Sequence, residues 1–323
     1  MQPDLRHRVR HAIRRARLEP LYNTAIATAR RVKHTPADLR WRRSIGTILR
    51  DGVPVSTSGV WGTDDTATVP MVMCLWNRPQ RIDDVLDMLA SLEGGTRIRL
   101  LLWNNNRADA AVYDRAIRGA ARGSIASIDL FHSPRNVGGL GRFLASRLLA
   151  NAGYDGPVVF LDDDQNVSPT FLTDLLRDYA ERSVVAWWGF SLHGSYWRRA
   201  EIEPGSPADH AGTGGTILDV ALVRDDRFFS RLPRKFAFVE DQWMTFVAHY
   251  KGWRVVKART SIELVLEETN QYHGLLPLKD EFYFFARDRG ARVMRRSSRH
   301  PAWRRGRLRG TATGSVQPGS KRA

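Results

Sequence analysis

Residues 157–164 read Pro157-Val158-Val159-Phe160-Leu161-Asp162-Asp163-Asp164, an apolar run that ends in three carboxylates. A short continuous apolar run suits a strand buried on both faces, the texture of a parallel sheet. Three adjacent carboxylates repel one another and raise each other's pKa unless a cation neutralises them. Oxygen-only ligands at a strand end suit a hard divalent ion, Mg2+ or Mn2+, which completes its shell with phosphate oxygens. The plainer alternative is an acidic turn ahead of a helix that begins near Ser168-Pro169.

Outward from this run the texture repeats. Met71–Trp76, Ile98–Trp103 and Ile125–His132 read as three earlier strands. Asp83–Leu92, Ala110–Arg118, Leu140–Ala150 and Pro169–Tyr179 have helical spacing. Strands alternating with helices imply an α/β fold, with a mostly parallel sheet covered by helices on both faces. In such sheets ligands bind beyond the carboxyl ends of the strands. The residues there are polar: Asn77-Arg78, Asn104-Asn105-Asn106, Pro134–Gly141 and the acidic triplet. Four polar strand ends on one edge make a site. Beyond residue 184 the pattern loosens into strands over Val184–Phe190, Thr216–Val223 and Arg254–Lys257, with a helix over Asp241–Tyr250. The Gly- and Pro-rich stretch 193–216 reads as a long loop suited to act as a lid.

With 42% hydrophobic and 10% aromatic residues among 323, the chain can bury a large core. Its longest apolar runs fall far short of the roughly 20 residues of a membrane span. The single cysteine, Cys74, excludes a disulfide framework and a cysteine-based zinc site. The net charge of +16 is uneven. Residues 1–50 hold 13 Lys/Arg against 3 Asp/Glu, and residues 287–323 hold 12 against 1, so the body between them is mildly acidic. Three segments follow: a basic helical extension and linker over 1–68, an α/β domain over 69–286, and a basic, partly disordered tail over 287–323. The Arg-rich start carries no apolar secretory stretch, so the expected compartment is the cytoplasm. The basic ends suit an anionic membrane surface, which places the protein peripherally at the inner face of the membrane.

Four motifs in order carry a resemblance. Cys74-Leu75-Trp76-Asn77-Arg78-Pro79 precedes a helix ending Met88-Leu89-Ala90-Ser91-Leu92; Asn136-Val137-Gly138-Gly139 precedes the next; Asp162–Asp164 closes a strand; and Glu240-Asp241 opens a helix before Gln242-Trp243. This order resembles the family 2 inverting glycosyltransferases of the GT-A fold, over about 70–285, two-thirds of the chain. The three adjacent aspartates are also similar to those of galactofuranosyltransferases.

The resemblance implies a nucleotide-diphospho-sugar donor, with UDP the commoner nucleotide, and a glycan or lipid-linked acceptor. In that family the first two strand ends contact the base, which points to Asn77, Arg78, Asn104, Asn105 and Asn106. Amide and guanidinium groups can hydrogen-bond a uracil edge, although asparagines also serve simple turn chemistry. Asn136 and Gly138 belong to the glycine motif, and Arg142, one turn further on, is a candidate for a phosphate. Asp162 and Asp163 are assigned to the donor, Asp162 at its ribose. Asp164 is assigned, with Asp162, to a divalent metal, Mn2+ or Mg2+, and His273 is the candidate third ligand. Asp241 is the implied base, with Glu240 the alternative. First-turn acids also complement a helix dipole without any chemistry. Trp187 or Trp188 is expected in the core and Trp197 at the acceptor.

Two rival readings stand beside this one. A nucleotidyltransferase shares the sheet architecture, but Trp76-Asn77-Arg78-Pro79 lacks the glycines its first loop carries. A nucleic-acid-binding protein has only the charged ends in its favour, since no RNA-binding motif is present. The processive-synthase motif Gln-x-x-Arg-Trp and a multi-span membrane domain are both missing, which argues against a polymerising, exporting synthase.

Overall fold

A computed structural model of the protein describes residues 36–57, 68–265 and 275–295. The chain divides into two units, 1–47 and 48–323. Of the first, residues 36–47 are described and are helical; the account below concerns the second. The basic helices expected over 5–33, the tail beyond 295 and His273 lie outside the described residues.

The apolar runs form the centre of an eight-stranded sheet. Strands β2 (Thr68–Leu75), β3 (Arg97–Asn104), β4 (Ile125–His132) and β5 (Pro157–Asp162) are parallel, in the order β4-β3-β2-β5. Helices α1 (Ile82–Ala90), α2 (Ala110–Gly119) and α3 (Leu140–Asn151) make the crossovers. The chain steps from β2 to β3 and β4 on one side, then returns through α3 to β5 on the other. A crevice therefore opens between the carboxyl ends of β2 and β5, where the strand order reverses. In register, Cys74 stands opposite Asp162. β7 (Ser183–Ala186), β11 (Thr216–Asp219) and β12 (Arg254–Lys257) extend the sheet beyond β5 in the order β5-β11-β7-β12, with β11 antiparallel to both neighbours. β1 (Val55–Thr57) pairs antiparallel with β4 at the far edge, and β6 (Gln165–Val167) pairs antiparallel with β13 (Ile262–Leu264) outside the large sheet.

Alternate strand residues supply the two faces. Met71, Met73, Leu100, Leu102, Val159 and Leu161 pack with Leu86, Leu89 and Tyr113 of α1 and α2, and with Leu172 of α4 (Phe171–Asp178). On the other face, Phe160 meets Phe143 of α3 edge-on at 5.1 Å, and Phe143, Phe228 and Trp243 continue an aromatic chain into α5 (Glu240–Tyr250). Helices thus cover both faces, as the continuous apolar runs require.

The second half departs from the sequence reading in three places. The strand expected over Val184–Phe190 is two, β7 and β8 (Gly189–Leu192), because the chain leaves the large sheet at Trp187-Trp188. The strand expected over Thr216–Val223 stops at Asp219, whose carboxylate accepts the Ala221 N–H at 2.8 Å and the Arg182 N–H at 2.9 Å. Such a side-chain bond to the backbone two residues on starts a turn. The stretch 193–216 holds β9 (Arg199–Glu201) and β10 (His210–Ala211), which flank β8 in a small antiparallel sheet. Residues 210–216 are buried, and Thr245 Oγ1 of α5 bonds both the N–H and the carbonyl of Ala211 at 3.0 Å. This part of the stretch is tied-down floor, not a lid.

Candidate functional site

A cavity of about 440 Å³ opens in the crevice at the β2–β5 reversal. Asn77, Arg78, Asn105, Asn136, Gly138, Arg142, the acidic triplet, Glu240 and Asp241 all line it. A second cavity of about 290 Å³ shares Asp162, Asp164, Thr213, Asp241 and Lys279 with the first. The two are lobes of one cleft, joined at those carboxylates.

The acidic triplet has protein counter-ions. Arg78 Nη1 donates to Asp163 at 2.5 Å and its Nη2 to Asp164 at 2.8 Å. Arg142 Nη2 donates to Asp162 Oδ1 at 2.7 Å. The repulsion that suggested a metal is therefore relieved by two guanidinium groups. Arg78 thus braces the triplet from the cleft wall through two of its donors. Burial still pushes Asp163 up to about 7 and Asp164 to about 6, against the pull of Arg78. Arg142 is buried, not solvated, and its Nη1 has no hydrogen-bond partner among the described residues.

The asparagine triplet divides. Asn104 is fully buried, and its Oδ1 accepts the Asn106 N–H at 2.8 Å. Asn106 caps the following turn, accepting from the Ala108 N–H at 3.2 Å and donating to Asp109 at 2.8 Å. Neither lines the cleft, and these bonds are the turn chemistry that asparagines also serve. Asn105 does line it, yet its side chain is committed inward: it accepts the Val137 N–H at 3.0 Å and donates to the Gly138 carbonyl at 3.2 Å. Asn105 fixes the glycine turn. Asn136 Oδ1 accepts the Gly138 N–H at 2.7 Å within that turn, where Gly138 has φ +59°. Gly139 is needed for contact: a Cβ there would overlap Glu240 Oε1.

Glu240 and Asp241 are neighbours with opposite surroundings. Glu240 is buried against Gly139 and Arg142, and burial raises it to about 7 although Arg142 opposes the shift. Asp241 Oδ1 accepts the Gln242 N–H at 2.7 Å, while Oδ2 lies 3.5 Å from Lys279 Nζ and 3.7 Å from His210 Nε2. Burial works against its ionisation, but the Lys279 ammonium, helped by the Gln242 N–H, outweighs it and holds Asp241 below the usual carboxylate range. Burial lowers His210 itself to about 4, so the ring is neutral at pH 7. The pair thus offers one carboxyl that keeps a proton near neutrality and one carboxylate that does not, the separation that acid–base chemistry uses.

Sequence reasoning missed Lys279, His210 and Tyr196. Lys279 lies in α6 (Leu276–Phe285) and donates to Tyr196 Oη at 3.1 Å, and the Tyr196 ring packs edge-on against His210. In the sequence Lys279 stands beside Asp280 and Glu281, so nothing there sets it apart from an ordinary charged turn of helix. The second lobe is aromatic. Trp187 and Trp188, of which at least one was expected in the core, are both only half-buried and line it with Trp197.

A divalent cation can be tested against these residues. Among the described residues no group of three His, Cys, Asp or Glu side chains converges on a metal position. Asp162 and Asp164 nevertheless both line the cleft, and Asp162 Oδ2 accepts no bond from a described residue. Beside it the backbone of Gly214 approaches closely, since a Cβ there would come within 2.5 Å of that oxygen and 2.6 Å of Gln165 Nε2. Two hard-oxygen donors suit an ion that takes its remaining ligands from water and phosphate. The residues fit such a group.

No family model and no curated protein matches the chain. Solved structures do match, at low identity. Staphylococcus aureus TarS is 16% identical over 62% of this chain, with a TM-score of 0.42. S. aureus TarS 1–349 in complex with UDP-GlcNAc is 16% identical over 59%, with a TM-score of 0.38. The mannosyltransferase PcManGT from Pyrobaculum calidifontis, in complex with GDP-Man and Mn2+, is 13% identical over 82% of this chain and 76% of its own, with a TM-score of 0.46. The chain spans 37% of TarS and 55% of the TarS 1–349 structure.

The raised Glu240 makes stability depend on pH. Its pKa moves from 4.5 to about 7 on folding, so the folded state binds the extra proton and stability falls as pH rises through that window. Glu240→Gln cannot ionise. The variant is expected to gain on wild type by up to about 1.4 kcal/mol per pH unit between those values, read from denaturant midpoints. Parallel curves for the two proteins would contradict the assignment.

Proposed function

We propose that the chain is an inverting glycosyltransferase that moves a sugar from a nucleotide-diphospho-sugar, with UDP the favoured nucleotide, to a hydroxyl of a glycan or lipid-linked acceptor. The observation that carries this reading is the position of Asp241, on the wall shared by a polar lobe and an aromatic lobe. Inversion needs a base on the opposite side of the sugar from the leaving diphosphate. A carboxylate at the junction of two lobes can serve a donor in one and an acceptor in the other. The four motifs of the resemblance support the reading further, because they come from distant parts of the chain and line the same cleft.

On this reading the polar lobe takes the nucleotide. Asn77 stands exposed at its rim, and Asp162 is available to a ribose hydroxyl. The buried, unpartnered Arg142 Nη1 is a donor suited to a diphosphate oxygen. Asp241 Oδ2 accepts the proton of the acceptor hydroxyl as its oxygen bonds to the anomeric carbon and the diphosphate departs. The Gln242 N–H keeps Oδ1 occupied, so the proton has one oxygen to go to. Asp162 and Asp164 would hold a divalent cation, which when bound supplies Lewis-acid neutralisation of the leaving group. Among the described residues no helix is long and apolar enough to cross a membrane. The basic ends are assigned to peripheral contact with anionic lipid, where each Lys or Arg is worth about 1 kcal/mol.

Asp241→Asn keeps the shape but cannot take the proton. Transfer is expected to fall about 10²–10⁴-fold with donor affinity kept; near-wild-type transfer would move the base elsewhere. Asp164→Ala leaves Arg78 its bond to Asp163 and is expected to abolish turnover and Mn2+-stimulated nucleotide binding. Normal turnover by that variant in chelator-treated buffer would remove the metal from the reading. The full chain is expected to bind anionic vesicles in a salt-sensitive manner, and indifference to them at low salt would end the lipid-contact assignment.

A further inference from the structure

Arg199 stands in the wall of the aromatic lobe. Its guanidinium carbon lies 4.6 Å from the centre of the Phe190 ring, 5.4 Å from Tyr196, 5.6 Å from Trp197 and 5.8 Å from Trp188. Rings packed around a guanidinium fix its direction without satisfying its N–H donors. Of those five donors, one bonds Tyr196 Oη at 3.3 Å. Among the described residues Arg199 makes no ion pair. The other charges lining the lobe are matched: Asp164 by Arg78, Asp162 by Arg142, and Lys279 by Asp241. Among the described residues an oriented cation is thus left without an anion, beside tryptophan faces that suit the C–H face of a sugar ring.

We infer that the aromatic lobe binds a saccharide bearing an anionic group, phosphate or carboxylate, with the sugar stacked on the Trp197–Trp188 wall and its anion held by Arg199. The inference rests on the glycosyltransferase reading, in which this lobe is the acceptor side. A planar guanidinium matches the paired oxygens of either anion, and a charge-assisted bond in a partly dry wall is stronger than a neutral one. The hydroxyls of a neutral sugar can accept from Arg199 but leave its charge unpaired, so the charge-assisted bond to an anion is the stronger one. A lipid tail is a poor occupant, because Arg199, Lys279 and Asp241 would all face hydrocarbon.

Calorimetric titration of the full chain with methyl glucoside, glucuronate, glucose 6-phosphate and inorganic phosphate tests this. One or both anionic sugars are expected to bind about tenfold or more tightly than methyl glucoside, consistent with one charge-assisted bond. The comparison of glucuronate with glucose 6-phosphate tells which anion is preferred. Arg199→Gln is expected to bring the charged and neutral sugars to near parity. Trp197→Ala, at an exposed position, is expected to weaken all the sugars alike. Equal affinity of wild type for neutral and charged sugars, or inorganic phosphate binding as tightly as glucose 6-phosphate, would overturn the proposal. So would the absence of any sugar binding. If Arg199→Gln fails to fold, the preference of wild type across the four probes decides by itself. UDP titrated separately reports on the other lobe, so a failure there counts against the transferase reading and is told apart from a failure here.

Discussion

The pairing of three aspartates with two arginines is the constraint on which the rest of this structure depends. Asp163 and Asp164 are buried, Asp162 is partly so, and Arg142 lies almost wholly out of water. Removing one partner of such a pair leaves an uncompensated charge, at a cost of about 3–5 kcal/mol. Arg78 follows β2, Arg142 rides on α3, and the aspartates end β5. They meet because β2 and β5 are neighbours despite the roughly eighty residues between them. The strand order and the charge balance therefore require each other.

The same geometry separates two adjacent acids. At the start of α5 the side chains of Glu240 and Asp241 point to different neighbours. Glu240 packs on the glycine turn and Arg142, where loss of water dominates and the proton is kept. Asp241 faces Lys279 and His210, where the ammonium of Lys279 overcomes the same loss of water. His210 is neutral near pH 7 and packs beside the carboxylate without adding charge. Nothing in the dipeptide itself distinguishes its two members. Their partners do, and these come from β10 and α6.

The cleft also divides its labour by chemistry. Its polar lobe is built by parallel strand ends and the glycine turn, whose backbone and amides are locked by Asn105 and Asn136. Its aromatic lobe is built where the large sheet gives way to the small one: β9 carries Arg199, and Phe190 of β8 surrounds it together with Trp188, Tyr196 and Trp197. The carboxylates at the seam belong to both. Rigid elements supply each wall, so a reacting group at the seam is held from two sides.

By itself the sequence determined the central strands, the edge at which they end in polar residues, and the glycine turn ahead of α3. These are local properties: apolar runs such as Val158–Leu161 cannot be left in water, and Gly138 holds a φ that other residues rarely adopt. Tertiary structure alone decided what each polar residue touches. Asn104, Asn105 and Asn106 are chemically identical in the sequence, yet two serve a turn and one braces another loop. The acidic triplet called for a cation, but only the fold identified arginines 78 and 142 as the ones supplied by the chain. Lys279 and His210 carried no pattern of their own, since their shared partner Asp241 lies dozens of residues away from each. Periodicity reports how a segment meets water; it carries no information about which distant charge the fold brings within 4 Å of another.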